Sequence, residues 1–395
     1  MQNTLLPVRK EKEMNHISHE TLTQIYQALA NSLNVSDTTT QEIVSSYEAV
    51  GNYLGNLEED LDIKIFPQGS MALGTMIKPL SSDKNGEYDV DLVCQLTNGN
   101  NLSDAEVKQI VGKRLEESSR YFQMMDPEGK RCWTLKYADF HMDVLPCTPK
   151  LSVETSTAIR ITEKIKENVY GNGISDPKGY LDWFTRKMSH VYTEALQNYA
   201  ELRKVEVEKI RLYNLRTPLQ MAIQILKRHR DIMFEGKKHR PASIIINTLA
   251  ARAYNGESNV YDAVCNIIEN MENSITKNEY GELQVLNPTL RQENFADRWV
   301  TEPKRQDAFF SWLKKAKKDI IEDPLNFIDG LDSLKNRMTE NFGSQVIQDT
   351  FEEYGNTIQN NRIKGKLGVN PQGHITSAKS ASVVPVKNHT FFGSD

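Results

Sequence analysis

The sequence predicts an α+β chain in which helices precede a compact mixed sheet and a helical region follows it. Three observations carry this. Residues 17 to 55 hold apolar side chains at helical spacing, short β-branched and aromatic runs of strand length follow, and from about residue 176 the helical period dominates.

The first helix lies in "SHETLTQIYQALANSL", with Ser18 as its cap and Leu22, Ile25, Leu29 and Leu33 as its stripe. The second lies in "SDTTTQEIVSSYEAVGNYL", striped by Ile43, Tyr47, Val50 and Leu54. The strands are "DIKIF", "EYDVDLVCQL", "RCWTLKYA", "FHMDVLPC" and "TAIRITEKI". Among them "SDAEVKQIVGKRLEESSRYF" is a helix, with Ser103 as cap and Glu106 at its third position. The helical half includes "SDPKGYLDWFTRKMSHVY", "TPLQMAIQILKRHRDIMF", "RPASIIINTLAARAY", "NVYDAVCNIIENMENSI" and "EPKRQDAFFSWLKKAKKDII". Three regions are expected: 1–175, a sheet-based core with N-terminal helices; 176–363, a helical lobe; and 364–395, a mobile tail without sustained period.

Composition narrows the function classes. At 38% hydrophobic and 26% charged, the chain is ordinary globular protein. Its net charge of -5 argues against extensive nucleic-acid binding over the whole surface, while leaving room for a local basic cleft. Cys94, Cys132, Cys147 and Cys265 lack the short paired spacing of a zinc site and read as reduced thiols. No signal-peptide core or membrane-length apolar run is present, so a cytoplasmic protein without membrane attachment is expected.

Two acids interrupt a strand that otherwise reads as buried. Alternation puts Asp89, Asp91 and Val93 on one face of "EYDVDLVCQL" and Tyr88, Val90, Leu92 and Cys94 on the other. Neighbouring carboxylates need a counter-charge, and hard oxygen ligands suit Mg²⁺. In "FHMDVLPC", Asp143 is a third acid, sharing a face with His141 and Leu145. Three acids on neighbouring strands make a two-metal site for phosphoryl or nucleotidyl transfer. Against that, Asp-x-Asp on an edge strand is commonly solvated decoration, and a strand end can expose Asp143. What precedes the pair strengthens it. "DIKIF" ends in "PQGS", where Ser70 is placed to cap the turn "MALGT" and Gly69 permits close approach of a phosphate to backbone N–H groups.

The stretch "LKRHRDIMFEGKKHRP" is strongly basic. Arg228 and the 237–240 cluster read as a solvated helix C-terminus, where cations suit the dipole. Lys227, four residues after Ile223, emerges at the edge of the buried stripe, and its residue context leaves solvent and phosphate equally open. Ser243 reads by position as a helix-start serine, usually a cap. "NPTLRQENFADRW" reads as a loop entering a helix, with Asp297 a first-turn acid.

Strand, Gly-Ser, apolar-flanked Asp-x-Asp and a distal strand Asp resemble the polymerase-β-like nucleotidyltransferase superfamily. "QGSMALGT", "EYDVDLV", "FHMDVLPC", "ILKRHRD" and "ENFADRW" are similar to one branch, the bacterial cGAS/DncV-like nucleotidyltransferases (CD-NTases) of CBASS anti-phage systems. The resemblance covers most of residues 40 to 330. It implies a bilobed, cGAS-like fold and an enzyme joining nucleoside triphosphates, ATP among them, into a cyclic di- or trinucleotide with release of pyrophosphate. It implies two Mg²⁺ ions, with Mn²⁺ as a substitute, on Asp89, Asp91 and Asp143, and nucleotide or phosphate contacts from Gln68, Gly69, Ser70, Lys227 and Ser243. It also implies an effector that binds the product, and a regulatory or conjugating partner for the tail. Two alternatives stay open: a linear nucleotidyltransferase of the same fold, such as a poly(A)- or CCA-adding or small-molecule adenylyltransferase, and an inactive nucleotide-binding scaffold.

Overall fold

The structure, a computed structural model, describes residues 17–56, 61–80, 88–151, 154–189, 216–326, 330–369, 375–377 and 383–386, with positions 191, 193 and 197. Helix α1 (His19–Ser32) starts at Ser18, whose hydroxyl accepts from Thr21 N at 3.1 Å. Helix α2 (Asp37–Gly55) leads to β1 (Ile63–Gln68), α3 (Gly69–Leu73) and β2 (Tyr88–Leu96). Then come α4 (Asp104–Glu117), closed by a complete capping box between Ser103 and Glu106, and α5 (Ser119–Met124). Strands β3 (Trp133–Lys136), β4 (Phe140–Pro149), β5 (Ile159–Lys166) and β6 (Val169–Ser175) complete the main sheet.

The sheet runs β1-β2-β4-β5-β6, with β3 paired to β4. Strand β2 is therefore not an edge: it runs antiparallel to β1 and parallel to β4. Its apolar face, Val90, Leu92 and Cys94, packs with Met142 and Val144 of β4 against stripes from α2 and α4. The alternation read from the sequence is thus the alternation of a sheet covered on one side by helices. The opposite face carries the acids beside a smaller apolar cluster of Val93, Leu145, Cys147, Ile159 and Ile161.

The helical lobe follows: α6 (Pro177–Lys187), α7 (Pro218–Met233), α8 (Ser243–Ala253) and α9 (Val260–Asn270), then two small hairpins. The hairpins are β7 (Thr276–Lys277) with β8 (Leu283–Gln284), and β9 (Leu286–Asn287) with β10 (Leu290–Asn294). The segment read as a loop before a helix is thus a hairpin, and Asp297 is the cap of the short helix α10 (Arg298–Thr301), accepting from Arg298 N. Helix α1 buries Leu22, Ile25, Leu29 and Leu33 in the helical lobe, together with Leu219, Ile223 and Leu226 of α7. Its stripe belongs to that core, although its sequence position groups it with the sheet.

Within 364–395 the described residues form three short strands, β11 (Leu367–Val369), β12 (Ile375–Ser377) and β13 (Val384–Pro385), ordered β12-β11-β13. Leu367 is buried and Thr376 bonds Glu20 of α1, so these pieces of the expected mobile tail fold back on the body. Strands this short carry no readable period, which is why the sequence shows only composition there. Among the described residues, no helix is long and apolar enough to cross a membrane.

Candidate functional site

The parallel pairing of β2 and β4 places Asp91 directly opposite Asp143, and Asp89 opposite His141. All three acids line one cavity of about 780 Å³ between the sheet and the helical lobe. Asp89 is exposed, while Asp91 and Asp143 are half-buried. Burial, then repulsion from Asp143 and Asp89, pushes the Asp91 carboxyl up to about 7. Burial also raises Asp143, against a 2.5 Å hydrogen bond that Thr134 Oγ1 donates to its Oδ1.

The turn from β1 into α3 meets Asp91 at very short range. Gly69 has φ +65°, and a Cβ built there would lie 2.0 Å from Asp91 Oδ2. Glycine is required twice, for the left-handed backbone and for the space. Ser70 does not cap α3. The helix begins at Gly69, its cap residue is Gln68, and no side chain makes a capping bond. The positive φ of Gly69 turns the chain directly out of β1, which starts the helix two residues earlier than expected. Gln68, Gly69 and Ser70 all line the cavity.

Opposite the sheet stands α7, whose Thr217 forms a capping box with Gln220. One face of this helix is bonded to the backbone that follows α3. Gln220 Nε2 donates to Leu73 O at 3.0 Å, Gln224 Nε2 to Met76 O at 2.6 Å and Lys227 Nζ to Thr75 O at 2.9 Å. Arg228 Nη2 donates to Lys78 O at 2.5 Å. Positions 220, 224, 227 and 228 fall on one helical face. Arg228, expected in solvent, is therefore buried. The carbonyls of Lys78 and Pro79, about 150 residues earlier in the chain, supply acceptors that its own helix does not reveal.

Lys227 is 6% exposed and lines the cavity. Burial and the nearby Arg230 bring its ammonium down to about 8, while Asp231, Asp89 and Asp91 act in the opposite sense. Ser243 opens α8 without capping it; its Oγ accepts from Arg230 Nη1 at 2.7 Å. Arg230 is itself buried and paired with Asp231. Sequence reading missed Arg230, Asn247 and Glu293, all of which line the cavity. Helical spacing could have found two of them, since Arg230 lies one turn after Lys227 and Asn247 one turn after Ser243.

The donor set suits a hard divalent cation: carboxylate oxygens whose mutual repulsion raises Asp91. Among the described residues, no group of three or more His, Cys, Asp or Glu closes into a protein cage for a metal. An ion held here would need most of its ligands from substrate and water, which is how Mg²⁺ is held beside phosphates.

Residues 21–187 match the Second Messenger Oligonucleotide or Dinucleotide Synthetase domain. A c-di-GMP synthase of Roseivirga ehrenbergii is 29% identical over 372 residues, covering 92% of this chain and 95% of that protein. The Bradyrhizobium diazoefficiens CD-NTase CdnG, solved in complex with GTP, superposes with a TM-score of 0.67 at 20% identity, covering 85% of this chain and 98% of that one. CdnC of E. coli MS115-1, in its CdnC:HORMA-deltaN complex, gives 0.55 at 15% identity over 83% of this chain and 98% of that one. At such identities the structural likeness speaks for the fold, which is the cGAS/DncV-like nucleotidyltransferase fold. The matched domain accounts for residues 21–187, and the R. ehrenbergii relative aligns along nearly the whole of both chains.

Proposed function

We propose that this protein joins two nucleoside triphosphates into a cyclic dinucleotide, releasing pyrophosphate at each step. The observation that carries the reading is the register of β2 and β4, which brings Asp91 and Asp143 side by side in a cavity also lined by Gly69, Ser70, Lys227 and Ser243. The R. ehrenbergii relative, a c-di-GMP synthase aligned over most of both chains, supports a cyclic dinucleotide over a linear product.

Asp89, Asp91 and Asp143 would hold two Mg²⁺ ions, or Mn²⁺. When bound, such ions acidify a ribose hydroxyl and offset charge on the attacking and leaving oxygens. The protein's own residues do the rest. Lys227 and Ser243 hold the donor triphosphate from the helical lobe. Backbone N–H groups at the start of α3 face it from the sheet. Asp143 takes the proton of the acceptor hydroxyl on Oδ2, since Oδ1 is engaged by Thr134. The hydroxyl oxygen then bonds the α-phosphorus in line, and the bond to pyrophosphate breaks. A second such transfer within the linear intermediate closes the ring.

Labelled ATP, GTP, CTP and UTP incubated with Mg²⁺, then phosphatase and mass spectrometry, test this. A phosphatase-resistant dinucleotide is expected; a phosphatase-sensitive ladder would mean linear transfer. The proposed setting is CBASS anti-phage defence, with an effector that binds the product and a partner conjugated at the C-terminal tail. Deleting residues 370–395 should abolish partner attachment and phage protection in cells. If both survive, the tail has no such role.

A further inference from the structure

One end of the cavity carries chemistry that phosphate transfer does not use. Glu293 of β10 lines it, half-buried, and is held there by neutral donors. Asn287 Nδ2 donates to its Oε2 at 2.7 Å and Ser175 Oγ donates to the same oxygen at 3.1 Å. The backbone N–H of Asp176 also bonds the carboxylate, and Arg131 acts on it through its charge. The carboxylate is thus fixed in place between β10 and the end of β6, while its negative charge is stabilised but not cancelled.

Asn247 stands in the same cavity, one turn after Ser243 on α8. It is 4% exposed, and its side-chain oxygen has no hydrogen-bond partner among the described residues. A buried amide left open in this way costs free energy unless a ligand completes it. The same cavity is lined by aromatic rings: Tyr180 and Phe295 meet edge to face, ring centroids 5.9 Å apart. A flat ring with a hydrogen-bonding edge suits such a surface.

The donor and acceptor pattern singles out one base. A carboxylate accepts only, whereas a primary amide both accepts and donates. Guanine presents adjacent N1–H and N2–H donors with O6 as neighbouring acceptor. Two donors side by side match two acceptors, the Glu293 carboxylate and the open Asn247 Oδ1. Adenine would turn its N1 lone pair toward the carboxylate, cytosine its N3 lone pair, and uracil offers one N–H between two carbonyls. We propose that Glu293, with Asn247, selects guanine for the nucleotide seated in this cavity. The assignment rests on the reading of the cavity as a nucleoside triphosphate site.

Binding of GTP and ATP with Mg²⁺ to the full chain, followed by calorimetry, tests it. The wild type should prefer GTP by about tenfold or more, since a site built to accept hydrogen bonds rejects an analogue that cannot donate them. Glu293→Gln keeps the shape but replaces one acceptor with a donor. It should lose about tenfold or more in GTP affinity while ATP affinity holds or improves, a change that misfolding does not produce. Asn247→Ala should weaken GTP more than ATP. Equal wild-type affinities, or a Glu293→Gln variant that loses both nucleotides alike, overturn guanine selection and leave the functional reading standing. A wild type that binds neither nucleotide overturns both.

Discussion

Two charged surfaces face each other across the cavity, and they are built on opposite terms. On the sheet, Asp91 and Asp143 sit side by side in register and repel, so that Asp91 is pushed up to about 7. On α7, Lys227 and Arg228 are more deeply buried, yet each is bonded to carbonyls of the 75–79 segment. Among the described residues the acidic face is offset only in part, by Lys227 across the cavity, whereas the basic face has backbone acceptors. A buried charge satisfied by backbone, as at Arg228, does structural work; carboxylates left in repulsion are poised for a ligand, and Lys227 on the cavity wall stands between the two cases.

The widest separation should come from removing each side in turn. Asp89→Ala with Asp91→Ala should lower nucleotide joining by roughly 10³-fold or more, read as product formed from labelled nucleotide. The ligand-free unfolding temperature of that variant should hold or rise, because repulsion has been removed. Arg228→Ala should do the reverse in stability, costing about 2–3 kcal/mol in urea unfolding through the unpaired carbonyls of Lys78 and Pro79 and a lost charged bond. If the acid variant is the less stable of the two, the contrast fails.

The pH dependence sharpens the comparison. In the folded state Asp91 titrates near 7 rather than 3.8, so between those values the folded chain keeps a proton that the unfolded chain has released. Its contribution to ligand-free stability should therefore fall as pH rises from about 4 to about 7, by at most about 1.4 kcal/mol per unit, less for its partial exposure. Lys227 runs the other way: brought from 10.5 to about 8, it adds stability as pH rises from about 8 to 10.5. Denaturant unfolding of wild type and Asp91→Asn across the lower window checks the first sign, since the variant should lose that slope. The smallest effect belongs to Arg240, whose half-exposed side chain lies 3.4 Å from Asp231. Arg240→Ala should change stability by no more than about 0.5 kcal/mol, and less at high salt.

Much of the acidic side was legible in the sequence, because alternation along β2 and β4 is a local property. Which face of Asp89 and Asp91 is apolar follows from their immediate neighbours, and the caps at Ser18 and Ser103 follow from three-residue spacing. The basic side was less legible. Arg228 lies in a run of cations that reads as solvated, and only its distant carbonyl partners show otherwise. Glu293 is one of 53 Asp and Glu residues and lies on a five-residue strand, too short to announce a face. The cap assigned to Ser70 lies two residues earlier, at Gln68, a distinction set by the φ of Gly69 rather than by residue type.

The bonds from α7 to the carbonyls of Leu73, Thr75, Met76 and Lys78 have a mechanical consequence. The segment after the Gly-Ser turn departs from the sheet but is clamped to a helix of the other lobe. Any tilt of α7 must drag that segment with it, and through α3 must pull on Gly69 where it presses against Asp91. The clamp works as a lever: force applied to the outer surface of the helical lobe is delivered to the acids. A partner gripping that surface could therefore throttle the chemistry without ever entering the cleft.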